Sequence, residues 1–253
     1  MNYKMIIQYD GTRYNGWQKQ GNTENTIQGK METLLGRIAG EEVEVHGAGR
    51  TDAGVHAKGQ TANARFHTDL SDVELLSAIN RYLPEDIWVA DLCRVPERFH
   101  SRLNAVEKTY EYRIAVDGGK HIFERKYLYF PEELLDVEAM KKAANHFVGK
   151  YDFKSFCANK KMKKSTVRCI SRIAFCEKDG ILSISFTGDG FLYHMVRILC
   201  GTLIEVGMHK READSMNEIL QAKDREKAGF CAPACGLTLI SVNYDKNETK
   251  IEA

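Results

Sequence analysis

The sequence predicts an α+β protein built as two similar halves. Three observations carry this. Segments with strand-like alternation and segments with helical periodicity follow one another in the order strand, helix, strand, strand, helix, strand over residues 3–93. A similar order recurs over 109–244. A hydrophobic content of 43% in 253 residues is enough to bury a sizeable core.

The first element, 3–9 (YKMIIQY), is rich in β-formers and begins without a cap. Asn25 with Gln28 three residues on reads as a capping box. Ile27, Met31, Leu34, Leu35 and Ile38 then recur at helical spacing, and Gly40 stops the helix. Residues 42–46 alternate as a strand, a glycine-rich loop spans 47–57, and a second strand follows at 59–66. Ser71 caps the next helix, whose apolar face is read as Val73, Leu76, Ile79 and Leu83. Pro84 bars its continuation. Ile87–Cys93 is the closing strand. That order is the split βαβ, ferredoxin-like unit.

In the second half, Thr109–Val116 reads as a strand and Leu135–Phe147 as a helix. Residues 166–176 and 181–187 form a hairpin about Asp179-Gly180. Phe191–Val206 is a helix, 212–222 an inserted helix, and 237–244 the last strand. The boundary falls near 98–105, giving halves 1–103 and 104–253 with antiparallel or mixed sheets.

Charged residues make up 28% of the chain, yet the net charge is only +1. This argues against a uniformly basic nucleic-acid binder and leaves room for a local basic patch. The N-terminus lacks a basic region followed by an apolar core, so no signal peptide is expected. No apolar run approaches the roughly 18 residues of a membrane span. Seven scattered cysteines in a chain of this size fit a reducing, cytoplasmic setting better than a disulfide framework. Cys231 and Cys235 lack a second pair at zinc spacing, so no metal is expected.

The loop Gly47-Ala-Gly-Arg-Thr-Asp-Ala-Gly-Val-His-Ala57 places three glycines, Arg50 and Asp52 between two strands. Glycines let a substrate approach the backbone closely. A carboxylate held there beside a cation suits a nucleophile or base. The competing reading is a glycine-rich turn whose Asp caps its own backbone. A dinucleotide fingerprint would need Gly where Asp52 stands and a helix after it, and a P-loop would need Gly-Lys-Ser/Thr.

The segment GRTDAGVHA at 49–57 resembles the signature of the TruA family of pseudouridine synthases. Further similarity runs in order along nearly the whole chain: Tyr9-Asp-Gly-Thr-x-Tyr-x-Gly-Trp-Gln-x-Gln20, Asn80-x-x-Leu-Pro-x-Asp-Ile87, Phe99-His-x-Arg102, Lys108-x-Tyr-x-Tyr112, Gly190-Phe-Leu-Tyr-His-Met-Val-Arg197, Gly201-Thr-Leu203 and Ala232-Pro-x-x-Gly-Leu237. The resemblance implies a cofactor-free isomerase that converts uridine to pseudouridine at positions 38, 39 and 40 of the tRNA anticodon stem-loop. It also implies a catalytic cleft between the halves and a homodimer.

By the same resemblance, Asp52 is the essential nucleophile, attacking either the base or the ribose. Arg197 matches the arginine that pairs with it and would keep the carboxylate ionised. Tyr110 matches the tyrosine that stacks on the flipped uracil and helps remove its C5 proton. Leu237 matches an apolar residue beneath the base, and Arg50 an arginine engaged in base flipping. By residue type alone, Arg197 would be an exposed helical arginine, Tyr110 a core tyrosine, Leu237 a core leucine and Arg50 a surface arginine. Lys108, Tyr110 and Tyr112 share one strand face, a combination read as facing RNA rather than a dry core.

Residues 154–172 carry Lys154, Lys160, Lys161, Lys163, Lys164, Arg168 and Arg172 with no Asp or Glu. The run is a solvated loop or, where the family presents loops to tRNA, a set of phosphate contacts. Lys58, Arg65, Arg102, Lys108 and Arg113 would extend the track. Three departures bear on substrate choice: Tyr151 where the family often has His, Cys231 where Thr is common, and the lysine-rich 157–165 loop. They leave open a paralogue acting on another RNA position. A catalytically silent RNA-binding module and a hydrolase with Asp52 as general base are the readings from other classes.

Overall fold

The computed structural model describes residues 1–245 and 248. It is a mixed α+β structure with a mixed sheet, and its chain forms two compact units. One comprises Met1–Lys108 with Thr238–Ala253, the other Thr109–Leu237.

The first unit opens with β1 (Asn2–Tyr9), followed by α1 (Ile27–Ala39), β2 (Val45–Gly47), β3 (His56–Arg65), α2 (Asp72–Tyr82) and β4 (Ile87–Val95). In β1 the alternation buries Tyr3, Met5, Ile7 and Tyr9. The strand lies antiparallel between β3 and β4, with Tyr3 opposite Ala64 and Arg94. The short β2 pairs antiparallel with 62–64 of β3. It is briefer than the 42–46 alternation suggests, since Glu42–Glu44 lie outside it.

The cap of α1 is Thr26 rather than Asn25: the Thr26 hydroxyl accepts from Gly29 N–H at 3.2 Å. Asn25 is used elsewhere, its amide donating to the Arg13 carbonyl. Gln28 does not close a capping box. It is buried, accepts from Lys19 N–H and donates to the Val45 carbonyl. Gly40 ends the helix in the left-handed region at φ 71°. In α2, Ser71 and Glu74 do form the reciprocal box. The buried pair on α2 is Leu75 and Ile79 at i, i+4, while Val73 is 80% exposed. The apolar face is therefore rotated from the one expected, and burial of roughly 1.5–3 kcal/mol per side chain falls on Leu75 and Ile79.

The second unit contains the remainder of β5 (Ala105–Ala115), then α3 (Val137–Asn145), β6 (Gly149–Asp152), β7 (Val167–Lys178), β8 (Ile181–Gly188), α4 (Met195–Gly207) and α5 (Met216–Ala222). Its strand order is β5-β8-β7-β6. The β7–β8 hairpin turns at Asp179 (φ 51°) and Gly180 (φ 73°), the two positive φ values that a tight I′ turn requires. Leu182, Ile184 and Phe186 point from β8 into the core, and α3 contributes Met140, Ala143 and Ala144. Helix α4 starts later than the apolar pattern at 191 indicates, because His194 sits in the left-handed region at φ 61°. Once begun, α4 is buried almost all round, including Ile198, Leu199, Cys200, Leu203 and Ile204.

The last strand, β9 (Leu237–Tyr244), belongs from Thr238 onward to the first unit. It runs parallel to β3, with His56 opposite Thr238 and Ala57 opposite Leu239. It completes the order β4-β1-β3-β9. Gly59 permits the approach, since an added Cβ would meet the Ile240 carbonyl. The chain passes from the first compact unit to the second after Lys108 and returns at Thr238.

Candidate functional site

Asp52 lies in the first unit, in an irregular segment between β2 and β3, and is partly exposed. Its carbonyl accepts from Val55 N–H at 3.1 Å, closing a turn with Gly54 at φ 79°. The base of the loop is tied to β3. Ala48 N–H donates to the Thr61 carbonyl at 2.8 Å, and the Gln60 amide donates to the Gly49 carbonyl at 2.7 Å.

A second set of contacts reaches the loop from residues 9–17. The Tyr9 hydroxyl and Thr51 Oγ1 are hydrogen-bonded at 2.8 Å in a buried setting. Trp17 N–H donates to the Thr51 carbonyl at 3.0 Å. Gly16, at φ 91°, has no room for a side chain: an added Cβ would lie 2.6 Å from the Thr51 carbonyl oxygen and 3.1 Å from the Asp52 carbonyl carbon. A Cβ on Gly11 would strike the Val55 carbonyl, and one on Gly47 would lie 2.5 Å from the Trp17 indole. Gly11 N–H donates to His56 Nδ1 at 3.0 Å. The Asp10 carboxylate stands 3.2 Å from the same nitrogen. These contacts escape a sequence reading, though a tyrosine, two glycines and a tryptophan in one short motif are their trace.

Arg50 beside Asp52 is exposed, as are Lys58 and Arg102. Lys108 is half-buried, and its ammonium donates to the Ala48 carbonyl at 2.7 Å, which ties it to the loop base. Arg65 is engaged with Glu97. Near Arg102, the rings of His46 and His100 stack at 4.9 Å. Burial holds the His100 imidazole below its usual range, helped by the charges of His46, Arg65 and Arg102.

In the second unit, Tyr110 on β5 is buried at 8% exposure and meets Phe191 edge-on at 5.3 Å. Tyr112, on the same strand face, is fully buried. Its hydroxyl donates to the Pro233 carbonyl at 2.9 Å. Its ring covers Gly236, where an added Cβ would lie 2.7 Å from it. The Tyr112 end of this face is therefore dry, whereas Lys108 on the same face is half-buried. The 233–236 turn, distant in sequence, packs over Tyr112. Burial pushes the Tyr112 phenol far up, the Cys200 and Cys235 thiols add to this, and Arg197 opposes it.

Arg197 occupies the first turn of α4 and is partly exposed. Its Nε donates to the Ala232 carbonyl at 2.7 Å, and Ala232 N–H donates back to the Arg197 carbonyl at 3.1 Å. The guanidinium is thus oriented by the segment that leads to Leu237, which is 5% exposed. Lys160, Lys161, Lys163 and Lys164 are all exposed. Lys160 approaches Glu226 at 4.0 Å with both side chains solvated, a pairing worth little. The loop thus keeps its positive charge. Arg168 turns back onto the carbonyls of Ser165 and Val167.

Among the described residues, no group of three or more His, Cys, Asp or Glu is placed to hold a metal ion, and no helix is long and apolar enough to cross a membrane.

Similarity to known proteins extends over nearly the whole chain. The family model described as tRNA pseudouridine synthase matches residues 5–104 and 143–245. The tRNA pseudouridine synthase A of Bacillus sp. (strain KSM-64) is 49% identical over 243 residues, covering 96% of this chain and 99% of that protein. Two proteins of Clostridium tetani (strain Massachusetts / E88) also match. The one named tRNA pseudouridine synthase A 1 is 45% identical over 243 residues, and the one named tRNA pseudouridine synthase A 2 is 42% identical over 245. Each match covers 96% of this chain and 99% of the relative.

Proposed function

Because the chain belongs to the tRNA pseudouridine synthase family, we infer that it isomerises uridine to pseudouridine in tRNA, with Asp52 as the nucleophile. The near full-length match carries the reading, and the match includes the loop 49–57 around Asp52. The reaction breaks the N1–C1′ bond, turns the base and forms a C5–C1′ bond. The C5 proton leaves and N1 gains one, so no atom is added and no cofactor is needed. An ionised carboxylate attacking base or ribose supplies the temporary bond that holds the fragments.

In this reading Arg197 pairs with Asp52 and Tyr110 stacks on the uracil and helps take the C5 proton. Leu237 packs beneath the base. Arg50 fills the space left when the uridine leaves its stack, offsetting a cost of a few kcal/mol. Lys160, Lys161, Lys163 and Lys164 contact phosphates, and Lys58, Arg102 and Lys108 continue the track. The substrate is the anticodon stem-loop, and the working form is a cytoplasmic homodimer. Both halves are taken as ferredoxin-like, the first with α1 and α2 and the second with α3 and α4.

A second reading keeps the chemistry and changes the target. Two relatives from one strain bear the names A 1 and A 2. This favours considering a paralogue that modifies another RNA position, with the lysine-rich loop choosing it. A silent binding module would retain the lysines without needing Asp52.

The test is pseudouridine mapping of a defined tRNA set after incubation with wild-type protein and with Asp52→Asn. New pseudouridine in the anticodon arm, lost in Asp52→Asn while tRNA binding persists, is the expected result. Pseudouridine elsewhere selects the paralogue. Its absence everywhere despite tight binding selects the silent module.

A further inference from the structure

The motif Tyr9-Asp-Gly-x-x-Tyr-x-Gly-Trp17 supplies no reacting group to the isomerisation, yet its residues converge on the backbone around Asp52. Thr51 is held at two atoms, Oγ1 by the Tyr9 hydroxyl at 2.8 Å and the carbonyl by Trp17 N–H at 3.0 Å. Gly16 lies against the Thr51 carbonyl oxygen and the Asp52 carbonyl carbon. Gly11 lies against the Val55 carbonyl, and its N–H meets His56 Nδ1. Trp17 is itself fixed: it is 1% exposed, its indole lies against Gly47, and its carbonyl accepts Gln28 N–H from α1 at 2.9 Å.

The grip is placed where the loop needs it. Asp52 belongs to no helix or strand, so the course of its backbone is set by the residues on either side. Reactive groups must be held to within a fraction of an ångström, and a support that fails costs rate without removing any reacting atom. Thr51 adjoins Asp52, so a rotation there swings the carboxylate directly.

We propose that Tyr9 and Thr51, backed by Gly16 and Trp17, are positioning residues that aim the Asp52 carboxylate, with the Tyr9–Thr51 hydrogen bond as the part to test. This rests on Asp52 being the nucleophile. Tyr9→Phe and Thr51→Val each delete one hydroxyl and keep the packing. Gly16→Ala is a harsher variant, since its methyl would enter the Thr51 carbonyl.

The experiment measures kcat, KM, tRNA affinity and melting temperature for full-length wild type, Asp52→Asn, Tyr9→Phe, Thr51→Val, Thr51→Ser and the double variant Tyr9→Phe/Thr51→Val. The single hydroxyl deletions should lower kcat by roughly 10- to 100-fold while KM and affinity stay within about twofold. Thr51→Ser, which keeps the hydroxyl, should recover most of the rate. The double variant should lose less than the product of the two single losses, because both remove the shared bond. Wild-type kcat in Tyr9→Phe and Thr51→Val, with Asp52→Asn inactive, overturns the proposal and leaves the nucleophile standing. So does a loss confined to melting temperature or KM, or multiplying losses in the double variant. Activity retained in Asp52→Asn instead overturns the nucleophile, and the proposal with it.

Discussion

Replacing Tyr112 by Phe removes one hydroxyl from a fully buried ring and leaves its packing on Gly236 unchanged. Two effects of different pH dependence follow. At neutral pH the variant loses the hydrogen bond to the Pro233 carbonyl, costing about 1 kcal/mol. In alkali the wild type carries a penalty that the variant lacks. Burial raises the Tyr112 phenol well above its ordinary value of 10.0, so above that pH the unfolded chain ionises while the folded chain keeps its proton. Wild-type stability is therefore full below pH 10.0 and falls as pH rises toward the folded value. The slope is about 1.4 kcal/mol per pH unit for this one group. Tyr244 and Tyr14 are also raised by burial, but their slopes are common to both proteins and cancel. A deficit of about 1 kcal/mol is then erased near pH ~10.6, and beyond that point Tyr112→Phe is the more stable protein. Urea unfolding followed by circular dichroism from about pH 8 to about pH 11 measures the gap directly. A gap that stays constant through this range would refute the burial argument.

Two further outcomes are expected. Replacing Lys160, Lys161, Lys163 and Lys164 together by Ala should weaken tRNA binding and flatten its dependence on salt by roughly 0.7–0.9 log units for each phosphate that is no longer neutralised; an unchanged slope removes the loop from the interface. Gly201→Ala places a methyl against the Phe230 carbonyl, so α4 or the 228–232 segment must move. A cost of about 1–3 kcal/mol should lower the melting temperature by several degrees, and an unchanged melting temperature would show that this packing yields freely.

The parts of the fold that could be read in the sequence are those fixed by local chemistry. Ser71 and Glu74 lie three residues apart and satisfy each other, so the start of α2 needs nothing distant. Asp179-Gly180 and Gly40 are similarly self-sufficient, since each supplies a positive φ where the chain turns or a helix stops. The misreadings all depend on distant partners. Asn25 and Thr26 are both good caps, and the choice fell to Thr26 because Asn25 reaches the Arg13 carbonyl and Gln28 is drawn into a buried network with Lys19 and Val45. Alternation correctly put Tyr110 and Tyr112 on one face, but could not say that Pro233 and Gly236 would cover Tyr112. The site divides in the same way. The segment around Asp52 is conspicuous by composition, whereas the hold of Tyr9, Gly16 and Trp17 on Thr51 joins stretches that only folding brings together.

The parallel pairing of β9 with β3 also sets an order of events during synthesis. A chain leaving the ribosome has made β1, β2, β3, α1 and α2 long before Thr238 and Leu239 exist. Until they arrive, the stretch of β3 at His56 and Ala57 that leads out of the Asp52 loop keeps an open edge. Such edges recruit foreign strands. Synthesis halted before Thr238 therefore leaves the first unit with an adhesive, unfinished edge beside the Asp52 loop.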